Sequence, residues 1–409
     1  MAIGDNFQRL GLAKASQASF FRRPVFLLIL MAFAMPIAFS GWTALLNNFV
    51  IEVGGFTGVE IGWLHTFREI PGFLAVGVIL LIFFMREQVL ALLSLSLLGL
   101  ATSLTTFFPE FSGILILTVL GSIGFHYYEA VNQSLQLQWI DKTVAPQVLG
   151  WVSAVGSFAS LLTYGAIVIT WKAFDLSYSF VYITSGGITV FIALICFFIF
   201  PQIESPRLQV NRVVIRPQYW LYYALQFMAG ARRQIFLVFA AFMMVKKFNF
   251  EVHEVTFLFL INFALSMLFS PLVGKAITVY GERKMLALEY IGLTFVFLAY
   301  GGIYYFGWGG VKVAISLFIA NHLLFAMSFA LKTYLQKISN PSDISSTTAV
   351  AFTINHIAAV FLPAVLGYLW INNPIGVFII AALMALVSVF LSMLIPSYPS
   401  IGQETIFVN

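Results

Sequence analysis

The chain has 409 residues; 61% are hydrophobic, only 9% are charged, Phe alone occurs 44 times, and the formal net charge is +5. A water-soluble surface cannot be assembled from this composition, which places the chain among polytopic helical membrane proteins. The basic residues are scattered near the ends of apolar runs, so the positive balance does not point to nucleic acid. The single cysteine, Cys196, lies in an apolar run, which excludes an internal disulfide.

Residues 1–24 are mixed polar, with Arg9, Lys14, Arg22 and Arg23. Pro24 opens the first apolar run, which is too long for a cleaved signal peptide and is followed by many more. The apolar pattern predicts twelve helical spans, at 25–50, 59–84, 88–107, 112–138, 146–171 and 177–200, then 218–245, 254–274, 285–307, 311–335, 346–370 and 373–396. Between the sixth and seventh lies Pro201–Pro217, a basic linker with Arg207, Arg212 and Arg216. The expected organisation is an amino-terminal segment (1–24), a six-helix bundle (25–200), the linker (201–217), a second six-helix bundle (218–396) and a polar tail (397–409).

With the amino terminus inside, thirteen Lys and Arg fall on the cytoplasmic side and four, Lys172, Lys246, Lys247 and Lys312, on the other. That asymmetry predicts both termini and the linker to be cytoplasmic, in a bacterial inner membrane or a plasma membrane. The halves also repeat weakly. Arg23-Pro24 matches Arg216-Pro217, Gly77 matches Gly274, Arg86 matches Arg283, and Leu137-Gln138 matches Leu335-Gln336, at offsets of 193 to 198 residues. Two similar six-helix units account for this and suit a transporter that works by alternating access.

The turn between spans eight and nine reads Gly274-Lys275-Ala276-Ile277-Thr278-Val279-Tyr280-Gly281-Glu282-Arg283-Lys284. It resembles the G-x-x-x-D-x-x-G-R-[RK] loop of the major facilitator superfamily. Gly274, Gly281, Arg283 and Lys284 fit, while Thr278 replaces the acid and Glu282 stands before the basic pair. The resemblance implies a 6+6 all-α fold, secondary transport rather than catalysis, and a gating role for this loop. Two features depart from the drug–proton antiporters of that superfamily: span four has no arginine, and span five has no internal proline. No nucleotide-binding loop is present, and no cofactor is implied.

Polar residues inside the apolar layer are the functional candidates, because burying them there is costly. Span four carries His126, Glu129, Asn132, Gln133 and Gln136 at helical spacing on one broad face. Glu129 is the candidate proton carrier, with His126 as its relay and Glu69 as a second carrier. On span two, His65, Arg68 and Glu69 fall about a turn apart and read equally as an ion pair, an outer gate or a substrate contact. Pro71-Gly72 follows and is expected to bend the helix.

Span seven places Arg232 and Arg233 side by side. Their guanidinium forks suit a carboxylate or phosphate, so the expected cargo is a small organic solute with an anionic group. Gln133, Asn321, His322, Asn355 and His356 are the remaining candidates for orienting it. Four histidines are intramembrane, but they are spread over spans two, four, ten and eleven without compact ligand spacing, so no metal site is assigned. Trp42, Trp63, Tyr127 and Tyr128 are candidates to border the pathway. The alternatives are transition-metal or facilitated transport, and a membrane receptor that moves nothing. The expected partners are the solute, a proton and membrane lipid.

Overall fold

The computed structural model describes residues 23–56, 58–204, 209–210, 212–250, 252–307 and 309–407. Arg9, Lys14, Arg22 and Arg207 lie outside the described residues. The first half comprises α1 (Pro24–Glu52), α2 (Gly58–Phe73), a 3-10 turn (Ala75–Gly77), α3 (Val78–Phe84), α4 (Glu87–Leu104), α5 (Phe111–Trp139), α6 (Ala145–Ala173) and α7 (Tyr178–Ile199). The second comprises α8 (Trp220–Ile235), a π-helical turn (Phe236–Ala240), α9 (Ala241–Phe248), α10 (Val252–Tyr280), α11 (Glu282–Phe306), α12 (Gly310–Phe325), α13 (Phe329–Ile338), α14 (Ile344–Asn372) and α15 (Pro374–Met393).

Local chemistry sets several of these boundaries. Proline occupies the first turn of α1 and α15, where its missing N–H costs nothing. Ser177 caps α7 by accepting from the Phe180 N–H, and Asn373 caps α15 by accepting from Gly376. Gly281 enters α11 at φ +81°, a left-handed conformation that glycine adopts without penalty.

Among the described residues, ten helices are long and apolar enough to cross a membrane. An eleventh span is obtained when the pair Trp63–Phe73 and Ala75–Phe84 is counted together across a 42° bend. Pro71-Gly72 lies just before that bend, where it was expected. The one remaining predicted span, the seventh, differs: Trp220–Phe248 is helical, but a π-helical turn breaks it, and Arg232 and Arg233 lower its hydropathy. Outward-facing Phe83, Phe84, Ile169, Phe198, Phe295 and Phe390 give the bundle an apolar exterior suited to lipid. Trp370, near the end of α14, packs among Phe239, Tyr304 and Phe378.

The second half has one continuous apolar core, which includes Tyr222, Tyr290, Phe297 and Phe378. The first half has two, one near the linker around Leu28, Leu95 and Leu135, the other at the far end around Trp42, Phe49 and Tyr182. Between them, Ser40 meets Ser160 at 3.3 Å, and Thr189 donates to the Ala34 carbonyl at 2.8 Å.

The halves are joined most tightly at the linker end. Gln336 donates to the carbonyls of Leu137 (2.9 Å) and Ile140 (2.6 Å). Ser345 receives a hydrogen bond from Ser134 at 3.1 Å and itself donates to Glu87. The backbone of α6 meets that of α10 so closely that a Cβ at Gly274 would lie 2.3 Å from the Pro146 carbonyl. One at Gly150 would lie 2.5 Å from the Ser270 carbonyl.

The linker touches both halves: Gln88 of α4 donates to the Pro201 carbonyl at 3.1 Å and accepts from the Ile203 N–H at 2.9 Å, and the later linker residues lie on the second half. Val210 donates to Ser342, Val214 to Ser346, and Arg216 makes two hydrogen bonds to Asp343, at 2.9 and 3.2 Å. The tail also docks: the Tyr334 hydroxyl donates to the Glu404 carbonyl, and the Ile406 N–H to that of Leu394.

Candidate functional site

A cavity of about 750 Å³ lies between the halves. Its inner end is lined by Glu129, Phe352 and His356; the lining continues to the exposed Asn47, Asn48, Leu237 and Val238 at the end away from the linker. This volume suits a small organic ligand. Seven Phe, Tyr and Trp side chains are among its lining residues. Phe39 stacks on Phe125 with ring centroids 4.6 Å apart, and Tyr164 stacks on Phe263 across the halves at 5.8 Å.

Charged groups are set into these walls. Arg68 donates through both Nε (3.1 Å) and Nη2 (2.8 Å) to Oε1 of Glu69. Both hydrogen bonds fall on a single oxygen, so Oε2 of Glu69 has no hydrogen bond among the described residues. His65 lies within electrostatic reach of this pair but outside the lining. Glu129, on α5, lies within electrostatic reach of Lys332, on α13 of the other half, and of Arg233. The sequence shows Lys332 only as a lysine near a helix end; its facing Glu129 is a consequence of how the halves meet.

The adjacent arginines part company, as a 100° step between helix neighbours requires. Arg233 lines the cavity and makes no ion pair or hydrogen bond among the described residues; its Nε is buried without a partner. Arg232 is fully buried inside the second half and is absent from the lining. Its guanidinium lies 4.4 Å from the Tyr290 ring centroid, donates to the Ser388 hydroxyl, and is within electrostatic reach of Glu289. The expectation that either arginine could meet solute is therefore narrowed to Arg233.

Other candidates are also engaged elsewhere. His322 is hydrogen-bonded to Ser266 at 2.8 Å, and Asn355 donates to the Gln226 carbonyl at 3.1 Å. Asn321 is buried, Gln133 lies beside the Tyr222 hydroxyl, and none of these four lines the cavity. Of the aromatic candidates, Trp42 lines it, Trp63 is exposed beside Phe67, and Tyr128 is buried. In the loop at Gly281, Glu282 pairs with Lys337 at 2.6 Å, within the second half. Gly274, at the start of that motif, packs against Pro146 and Gln147 of the first half.

The histidines require a correction. His126 and His356 are 230 positions apart in the sequence, yet their rings lie 5.0 Å apart, centroid to centroid. Each has a ligand atom within 4.8 Å of the other and of a Glu69 carboxylate oxygen. The wide spacing along the chain hid this because packing of α2, α5 and α14 creates it. Gly72 also escaped notice as a contact residue: a Cβ there would lie 2.4 Å from His356 and 2.8 Å from His126.

The sequence model of the Major Facilitator Superfamily matches residues 84–363, more than half of the chain. The chain belongs to that superfamily. Its fold is similar to that of the human organic anion transporter MFSD10 (TM-score 0.69, 13% identity, 92% of this chain and 100% of that one). It is also similar to the E. coli fucose:proton symporter FucP (0.68, 12%, 90% and 97%) and to a bacterial homologue of the iron transporter ferroportin (0.65, 12%, 90% and 97%). At such identities the likeness concerns the fold alone. No curated protein sequence matches the chain. As a superfamily member, the protein is an integral membrane secondary transporter that moves a small solute by alternating access; it is not an enzyme.

Proposed function

We propose that the solute is a small amphipathic organic molecule bearing an anionic group, and that Arg233 holds that group. The observation that carries this reading is the Arg233 guanidinium, which faces the cavity without an ion pair. A desolvated guanidinium with no bonded partner favours an anionic one, and its planar fork can grip two oxygens. Phe39, Phe125, Tyr164 and Phe263 supply the apolar surface for the remainder of the solute. His356 borders the same site, while Arg232, Gln133, Asn321, His322 and Asn355 act by holding helices together.

In this reading the protein has two six-helix units, with both termini and the linker cytoplasmic. The hydrogen bonds at the linker end then close the cytoplasmic side, and the cavity opens outward. Coupling to protons runs through Glu129. Protonation removes its attraction for Lys332 across the halves and so shifts the balance between conformers. Glu69 and His126 lie on the same cavity wall and complete the proton-responsive group; Arg283 and Lys284 flank the cytoplasmic gate.

Thermal unfolding of the purified protein against organic anions, cations and neutral solutes tests the assignment, because preferential binding to the folded state raises the midpoint. An anion that stabilises wild type should lose its effect in Arg233→Ala and retain it in Glu129→Gln. Anion stabilisation undiminished in a folded Arg233→Ala protein would overturn the reading.

A further inference from the structure

Glu69, His126 and His356 have a second capacity that does not depend on the identity of the solute. Each contributes a ligand atom within 4.8 Å of the other two. The histidine tautomers follow from their hydrogen bonds. His356 Nδ1 is 2.9 Å from the Phe352 carbonyl, an acceptor, so Nδ1 carries the proton and Nε2 a lone pair. His126 Nδ1 is 2.9 Å from the Ser122 carbonyl and 2.9 Å from its hydroxyl oxygen. That hydroxyl donates its own proton to the Arg68 carbonyl, so His126 Nδ1 is again the donor and Nε2 the free base.

Two neutral imidazoles, each fixed by a backbone carbonyl behind it, and a carboxylate with one uncommitted oxygen form a donor set suited to a borderline divalent cation. Arg68 fixes the Glu69 carboxylate through Oε1 and leaves Oε2 open. Among the described residues no hydrogen bond links the three side chains to one another, so they do not already satisfy each other. Gly72 leaves room for both rings; any side chain there would push them out.

We propose that these three residues bind one zinc-type divalent cation and that the bound ion clamps the transporter in the conformation open away from the linker. Ligand atoms around tetrahedral zinc are about 3.3 Å apart for bonds of about 2.0 Å, so the three groups close by roughly 1.5 Å, a side-chain movement. Glu69 and His126 belong to the first half, His356 to the second. An ion held by all three therefore fixes the halves relative to each other. The fourth coordination position faces the cavity. Arg68 and Arg233 are the cations near it, and both oppose a second positive charge; they weaken binding and favour an anion in the open position.

The test uses the full-length purified protein and zinc chloride. One zinc per chain should bind by calorimetry and raise the unfolding midpoint. Cobalt chloride should give the intense visible absorption of a tetrahedral histidine–carboxylate site. His356→Gln and Glu69→Gln should each weaken zinc binding at least tenfold, and Arg233→Ala should strengthen it. Zinc should also keep a cysteine placed at Asn48 reactive toward a membrane-impermeant thiol reagent, with no such protection in His356→Gln. Absence of zinc binding to wild type, or binding unchanged in both ligand variants, would overturn the site. Zinc flux through reconstituted vesicles would overturn the clamp. The cobalt spectrum of the wild-type protein remains decisive if a variant fails to fold.

Discussion

Gly274→Ala probes the contact between α6 and α10 where the halves meet near the linker. The added Cβ would lie 2.3 Å from the Pro146 carbonyl oxygen and 3.0 Å from the Gln147 Cα. Both are backbone atoms, so no side-chain rotation relieves the clash, and the helices must separate. Overpacking of this kind costs about 1–3 kcal/mol. The cost falls on the conformation in which the linker end is shut and is relieved when that end opens. At about 1.4 kcal/mol per factor of ten, the equilibrium moves roughly 5- to 140-fold away from the form described here. An Asn48→Cys reporter reads this directly, because Asn48 is exposed in the cavity mouth and the native Cys196 is fully buried. Its reaction with an impermeant thiol reagent should slow in Gly274→Ala. Gly150→Ala, which meets the Ser270 carbonyl from the other helix, should slow it as well. Gly165→Ala should not, since nothing lies within 4 Å of its new Cβ. Wild-type reactivity in both contact variants, or equal slowing in Gly165→Ala, would refute the assignment of this contact to the gate.

Three other outcomes are expected. Glu129→Gln and Lys332→Met should each flatten the pH dependence of solute flux, and the double variant should resemble either single one, with a coupling of about 0.5–3 kcal/mol in conformational stability. Additive effects would separate the two residues. Arg232→Met should destabilise the folded protein by about 1.5–3 kcal/mol, as measured by chemical unfolding, because it removes a charged hydrogen bond to the Ser388 hydroxyl. Gln336→Ala removes the hydrogen bonds to the Leu137 and Ile140 carbonyls; at about 0.5–1.5 kcal/mol each, it should favour opening at the linker end and slow labelling at Asn48→Cys.

Much of the fold was legible because the membrane imposes its own grammar: apolar runs of spanning length, basic residues near their ends, and a polar linker at the midpoint. The Gly274–Lys284 motif identified the superfamily. The repeat that paired Gln138 with Gln336 also picked out residues that join the halves: Gln138 reaches Ser345 at 3.2 Å, and Gln336 reaches the Leu137 and Ile140 carbonyls. Helical periodicity could place Glu129 and His126 on one face of span four, but not name what that face meets. Lys332 and His356 come from other helices, and their positions depend on rotations and crossing angles that no single helix encodes. For the same reason Arg232 and Arg233 were indistinguishable in the sequence, although one is enclosed by Tyr290 and Ser388 and the other faces the cavity. The seventh span was legible only as one continuous helix carrying Arg232 and Arg233, and nothing in its apolar pattern marked the π-helical turn at Phe236–Ala240.

The docked tail offers a fixed point for following motion. Glu404 and Thr405 are buried, and the hydrogen bonds from Tyr334 and to Leu394 attach the segment to the second half. A fluorophore placed on the exposed Phe407 position would therefore report the orientation of that half, with little independent wobble of its own. Paired with a second dye on the first half, it would turn rocking of the two bundles into a distance that can be timed, without a probe in the solute cavity.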